Sequence, residues 1–261
     1  MAIVNATPNS FSDGGRYLAV DAAFSHALTC VEEGADIIDV GGESTRPGAA
    51  EVTEGEEQDR VLPVIERLRR ETDVLISVDT YRASTARLAI EAGAHIVNDV
   101  FGLQKDGNMA GVVAAARAGV CIMHTGRDRQ KRADVIEDQF EFLNRSLEMA
   151  EAAGIARDAI VLDPGFGFAK DERENVELMA RFGELAAFDL PVLAGTSRKR
   201  FIGSLTGRDA AQERDIGTAA TTVILRLAGA AIFRVHNVAV TRDALAIADA
   251  VLAKASARPD A

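Results

Sequence analysis

The sequence predicts a (β/α)8 barrel, and three observations carry that expectation. The first is a repeat hidden in the turns. "EEGADIIDV", "EAGAHIVNDV", "ARAGVCIMH", "EAAGIARDAIVLDPG" and "RLAGAAIFRVH" each end an amphipathic run, pass a glycine and enter a short apolar stretch. The second is that these stretches do not alternate, which suits strands of a parallel sheet buried on both faces. The third is the count: eight strand–helix units in 261 residues is the usual size of such a barrel.

In chain order the predicted strands are 2–6, 36–40, 74–79, 95–99, 120–124, 160–163, 191–195 and 231–235. Helical patterns separate them, among them 20–33, 56–71, 82–92, 135–153 and 240–255. Gly34, Gly93, Gly119, Gly154 and Gly229 stand where helices stop, because glycine takes the left-handed C′ conformation cheaply. Pro63 lies inside the run 56–71, where proline costs about 3 kcal/mol, so a kink or break is expected there. An open doubly wound sheet is the other architecture to weigh. It needs a GxGxxG turn after the first strand, and "NATPNSFSDGG" is not one.

Composition narrows the class. A chain that is 48% hydrophobic builds a sizeable core, and one barrel domain over 1–256 with a flexible tail at 257–261 is expected. A net charge of −11 opposes broad nucleic-acid binding, which needs a large positive surface. Mean hydropathy near zero and the lack of a long apolar run point away from the membrane. No secretion signal opens the chain, and two cysteines, Cys30 and Cys121, in apolar surroundings fit a reducing, cytoplasmic setting as packing residues.

A barrel carries its chemistry on the rim at the C-terminal ends of its strands. There the sequence places Asn5, then Asp39 leading to "GGESTRPG", then Asp79, Asn98 with Asp99, His124, Asp163, Ser197 to Arg200, and Arg234 with His236. Asp79, Asn98 and Asp163 suit a ligand edge rich in N–H donors, such as the amino-pyrimidine edge of a pterin or guanine. Asn5, Arg46, Arg234 and His236 suit a phosphate-type leaving group with a metal ion bridging to Asn5. Magnesium fits, since it keeps several waters and takes few protein ligands. For any one of these acids, capping the next helix is the commoner role by about two to one. His26 and His95 read as structural. The functional reading gains from polar groups recurring at nearly every strand end. "LDPGFGFAK" adds a tight turn with Phe166 and Phe168 as an aromatic wall beside Asp163.

The stretches "NATPNSFSDGGR", "IIDVGGESTRPGA", "ISVDT", "NDV", "LDPGFGFAK", "GTSRKRFIG" and "RVH" span residues 3 to 236 and together resemble the ordered signature of the dihydropteroate synthase family. The resemblance implies a TIM barrel of folate biosynthesis. Such an enzyme joins 6-hydroxymethyl-7,8-dihydropterin diphosphate to p-aminobenzoate with Mg²⁺, releases pyrophosphate, is a homodimer and is a sulfonamide target. Carried over motif by motif, it implies that Asp79, Asn98, Asp163 and Lys199 hold the pterin with Arg234 on its face. Asn5, Arg46 and His236 hold the diphosphate, with Asn5 on the metal. Thr45, Arg46, Pro47, Phe168, Ser197 and Arg200 frame the aminobenzoate, and Asp79, Asp163, Lys199, Arg234 and His236 form the catalytic group. The loops "ATPNSFSDGG" and "GGESTRPGAA" close over the site. The triplet Arg198, Lys199 and Arg200 becomes electropositive wiring, with a helix N-terminus aimed at the aminobenzoate carboxylate.

The match has departures. Asn9 and Asn237 stand where the family commonly has Asp, and "MHTGRDRQ" replaces a Met- and Gly-rich stretch. The first strand begins at residue 2, without the segment with which relatives plug the barrel floor, so an uncovered floor is expected. Two other functions compete. A pterin-binding methyltransferase barrel shares the Asp and Asn contacts but has no use for "STRPG", "SRKR" and "RVH" together. A catalytically silent barrel has no use for Asp79, Asp163, Lys199, Arg234 and His236.

Overall fold

The computed structural model describes residues 1–6, 13–43 and 52–256; Asn9, Thr45, Arg46, Pro47, most of the two closing loops and the tail 257–261 lie outside them. Strands and helices alternate as expected. In chain order they are β1 (Ala2–Asn5), α1 (Asp13–Glu32), β2 (Ile37–Gly41), α2 (Glu54–Glu71), β3 (Leu75–Asp79), α3 (Ala83–Glu91), β4 (Ile96–Asp99), α4 (Met109–Ala116) and β5 (Gly119–Met123). Then follow α5 (Val135–Ala153), β6 (Ile160–Asp163), α6 (Glu172–Ala180), β7 (Leu193–Ala194), α7 (Arg200–Thr206), α8 (Asp215–Leu227), β8 (Ile232–Phe233) and α9 (Val238–Ser256). Two compact units divide the chain: Met1–Met123 with Leu143–Val161, and His124–Phe142 with Leu162–Ala261.

In the first unit the strands pair in parallel in sequence order, with β6 next to β5. Their register sets Asn5 opposite Gly41, Gly41 opposite Asp79, and Asp79 opposite Asn98. The polar strand ends therefore form one lateral row. Below it Val4, Ile38, Val40, Ile76, Val78 and Val97 are wholly buried, each contributing about 1.5–3 kcal/mol of transfer free energy.

Helix α2 starts at a capping box, in which Thr53 and Glu56 satisfy each other's backbone N–H, and it buries Val61, Val64, Ile65 and Leu68. It runs unbroken through Pro63, against the expectation of a break. Pro63 faces solvent and so does Asp59, whose carbonyl Pro63 cannot serve, while the buried stripe holds both halves together. Four of the five stop glycines take the left-handed conformation, but Gly119 does not. Arg117 turns the chain at φ 53° instead, and Gly119 opens β5 where a Cβ would stand 3.3 Å from Ile96 Cγ1.

In the second unit Leu162 bridges Val192 in parallel, and β7 pairs with β8. Both strands are shorter than predicted, two residues each. Beyond them the pairing survives as single bonds, Arg234 N–H donating to the Ala194 carbonyl at 3.1 Å. Phe166 is fully buried between Phe182 and Phe201, with ring centroids at 6.4 and 6.2 Å. It belongs to the core, which leaves the half-buried Phe168 alone as the aromatic wall of its turn. Cys30 and Cys121 are buried free thiols, and burial pushes Cys30 up to about 11.

Candidate active site

At the strand ends of the first unit the central group is Asp39, wholly buried on β2. Its carboxylate accepts from Ser77 Oγ at 2.6 Å and from Asn98 Nδ2 at 3.1 Å. Because a carboxylate only accepts, Asn98 must turn its NH2 toward Asp39 and its carbonyl oxygen the other way. Asp79 closes β3 beside Gly41, where a Cβ would lie 3.5 Å from the Asp79 Cβ. The first N–H of α3, on Ala83, donates to Asp106 at 2.8 Å and not to Asp79. Capping does explain Asp99. It accepts from the N–H groups of Phe101 and Leu103 at 2.9 and 2.7 Å, and burial pushes its carboxyl up to about 6. Neighbouring Arg82 pairs with Glu43 at 2.6 Å and with buried Glu57 at 2.9 Å. Asn5 ends β1 exposed.

The second unit centres on Asp163. Burial raises its carboxyl, and the charges of Lys199, Arg234 and Lys170 and the Gly165 N–H oppose that rise. Its turn is clamped at successive peptides. Gly165 N–H donates to Asp163 Oδ1 at 2.7 Å, and Gln139 donates to the Pro164 carbonyl at 3.2 Å. Lys170 donates to the Gly165 carbonyl at 3.0 Å, Lys199 to the Phe166 carbonyl, and Gly167 N–H to Asn175 at 2.7 Å. Phe168 carries two cations, Lys199 Nζ and the Arg127 guanidinium, each 4.7 Å from its ring centroid. Ser197 Oγ lies 2.9 Å from His236 Nδ1 and also accepts from the His236 N–H at 3.1 Å.

The triplet divides its labour. Arg198, in the left-handed conformation at φ 57°, forms a bidentate pair with Asp215 at 2.6 and 2.8 Å and is spent on structure. That corrects the reading of all three cations as wiring for ligands. Lys199 turns inward to Asp163 and its turn, and Arg200 is the exposed first residue of α7. Asn237 donates to the same Asp215 at 2.9 Å and accepts from Val240 N–H at 3.1 Å, starting α9. An aspartate at 237 would face Asp215 with a second negative charge.

Comparison with known proteins places the chain in a family. A model of the pterin binding enzymes matches residues 1–236. A dihydropteroate synthase of Staphylococcus haemolyticus is 47% identical over 239 residues, 91% of this chain and 89% of the relative. The chain belongs to the dihydropteroate synthase family.

Members of that family are transferases of folate biosynthesis. Two solved members align over nearly the whole chain. The Xanthomonas albilineans enzyme with 4-aminobenzoic acid has a TM-score of 0.91 at 46% identity, covering 99% of this chain and 93% of its own. The Yersinia pestis enzyme in a sulfonamide drug complex has 0.89 at 42%, covering 97% and 93%. The (β/α)8 class is thereby that of a dihydropteroate synthase. Within the first unit the structure brings together Asn5, Asp79 and Asn98; within the second it brings together Asp163, Lys199 and Arg234, and joins Ser197 to His236. Sequence reasoning missed Asp39 as the orienter of Asn98, and it missed Lys170, His124, Asp138 and Arg129 behind Asp163. Lys170 and His124 did carry a signal: one closes the "LDPGFGFAK" motif and the other directly follows β5.

Proposed function

We propose that this chain condenses 6-hydroxymethyl-7,8-dihydropterin diphosphate with p-aminobenzoate, with the division of labour that its motifs imply. Asp79, Asn98, Asp163 and Lys199 take the pterin edge and Arg234 its face. The observation that carries this is Asp163, a buried acid with Lys199, Arg234 and Lys170 around it and a turn clamped so that the carboxylate points one way. Its negative charge favours the positive character that grows on the pterin methylene as the C–O bond breaks. The arylamine nitrogen then forms the new C–N bond and loses a proton, and the bond electrons leave with pyrophosphate. Arg234 and His236 stabilise charge on that leaving group, the kind of preorganised interaction that contributes most to catalysis.

Thr45, Arg46 and Pro47, outside the described residues, are assigned by motif to the aminobenzoate and diphosphate; Phe168, Ser197 and Arg200 join the aminobenzoate set. The Ser197–His236 hydrogen bond supports placing those two roles next to each other. Magnesium fits the donor set in one way. Asn5, exposed at the end of β1, is the residue that would hold the ion alongside the diphosphate of the substrate. It would supply charge neutralisation at the leaving pyrophosphate.

A homodimer in the cytoplasm completes the reading, with 1–256 as the barrel domain and 257–261 as a tail. Support for a dimer comes from the paired helices α8 and α9, which leave Ile216, Ile224, Leu227, Ile247 and Val251 exposed. No helix among the described residues is long and apolar enough to cross a membrane. The deciding experiment is calorimetry with 6-hydroxymethylpterin. Asp163→Ala should weaken binding roughly 10- to 100-fold, as expected for losing a charged contact of about 1.5–3 kcal/mol. Wild-type affinity in a folded variant refutes the assignment.

A further inference from the structure

Behind Asp163 lies a chain of charged and polar groups for which the reaction as described has no use. Lys170 Nζ stands 2.8 Å from His124 Nδ1 and 3.0 Å from the Gly165 carbonyl. His124 is wholly buried, its Nε2 2.9 Å from Asp138 Oδ2. Asp138 also takes Arg129 on both oxygens, at 2.9 and 2.6 Å, and the Arg132 N–H at 2.7 Å. Burial works against its charge, but these bonds from His124, Arg129 and Arg132 hold its carboxyl well below the ordinary range.

The chemistry of the neighbours sets the tautomer of His124. An ionised Asp138 can only accept, so Nε2 carries the hydrogen and Nδ1 offers its lone pair to Lys170. Arg129 Nη2 also lies 2.8 Å from Nε2, but its hydrogen goes to the nearer Asp138 oxygen. Burial first, then the positive charge of Lys170, push His124 down to about 3, so the ring stays neutral as an acceptor must.

We propose that Lys170 is a positioning residue for Asp163: strung between His124 Nδ1 and the Gly165 carbonyl, its ammonium fixes the turn that carries the acid and sets a cation beside it. Gly165 is the link, since its N–H holds Asp163 Oδ1 while its carbonyl receives Lys170. The cations facing Asp163 are Lys199, Arg234 and Lys170. The charged groups that face Lys170 in turn are the cations Lys199 and Lys131 and the acids Asp163 and Asp138, and burial pushes the amine down to about 7. Removing the Lys170 charge takes away one of the groups that oppose protonation of Asp163. Pterin recognition should then fail at a higher pH on the acid side. The inference rests on Asp163 being the acid that takes the pterin.

The test uses the full chain with Lys170→Met, Lys170→Arg and Asp163→Asn, measuring KM for each substrate across pH 5–9 and the affinity for 6-hydroxymethylpterin by calorimetry. K170M should raise the pterin KM and dissociation constant fivefold or more near pH 6 and move the acid limb upward. The aminobenzoate KM should stay within twofold, and K170R should recover most of the loss. A folded K170M with wild-type pterin affinity and acid limb overturns the inference, as does an equal rise in both KM values. If D163N loses the pterin while K170M does not, only the role of Lys170 falls; if D163N keeps it, the Asp163 assignment falls first. Should K170M melt below the assay temperature, Lys170→Gln replaces it, keeping a donor for Gly165 without the charge, and an unmoved acid limb in that variant also overturns the inference.

Discussion

Asp39 and His124 illustrate how single buried residues hold the strand ends in place. Asp39→Ala strands two donors, Ser77 Oγ and Asn98 Nδ2, in a dry environment. Each unpaired buried donor costs about 1–3 kcal/mol, so urea unfolding should show roughly 2–6 kcal/mol lost at unchanged m. The pterin KM should rise too, because Asn98 loses its orienter. Asp39→Asn should cost less, as its carbonyl still accepts one of the two. His124 gives a pH dependence. Folded, it takes a proton only near pH 3; unfolded, it does so near 6.5. Between those values the unfolded state binds more protons, so this residue's contribution to stability is full above pH 6.5 and falls as pH drops toward 3. The melting temperature of wild type should therefore fall more steeply than that of His124→Gln between pH 6.5 and 4. Parallel curves would refute this account of the residue.

Helix α7 shows two glycines required for different reasons. Gly203 lies where a Cβ would stand 2.5 Å from the Arg208 carbonyl and 2.5 Å from Arg214 Nε, and that carbonyl is backbone. Gly207 has open space around it but sits at φ 67° as the left-handed cap. Gly203→Ala should cost about 2–3 kcal/mol by overpacking, and Gly207→Ala about 1 kcal/mol by backbone strain. Gly207→Asn should recover part of that loss, since asparagine tolerates the left-handed region, whereas no side chain rescues position 203. Denaturant titration of the four proteins checks the order. Elements of this kind explain why α2 was legible from the sequence and α7 less so. Helix α2 carries its capping box and apolar stripe within its own residues. Helix α7 is seven residues long, too short to aim a strong dipole at a carboxylate, and it is held by a segment that follows it.

At the scale of the whole molecule, a net charge of −11 keeps copies apart in general, so a specific dimer needs an apolar face. Ile216 and Ile247 are 84% and 65% exposed on α8 and α9, which marks that face. Analytical ultracentrifugation should find a dimer for wild type and a monomer for Ile224→Glu combined with Ile247→Glu. A wild-type monomer at micromolar concentration would overturn the proposal. The sequence by itself determined the alternation of strands and helices, the strands' burial on both faces and the polar residues that end them. Periodicity and glycine punctuation are local properties, written within a dozen residues. Only the tertiary structure decided which of those polar ends face a ligand and which serve the protein. Asp99 caps its own loop, Arg198 is neutralised by Asp215 seventeen positions on, and Asp39 orients Asn98 across fifty-nine. The physical reason is that a buried charge takes whichever partner the folded chain brings within 3 Å, and sequence distance carries no information about that choice.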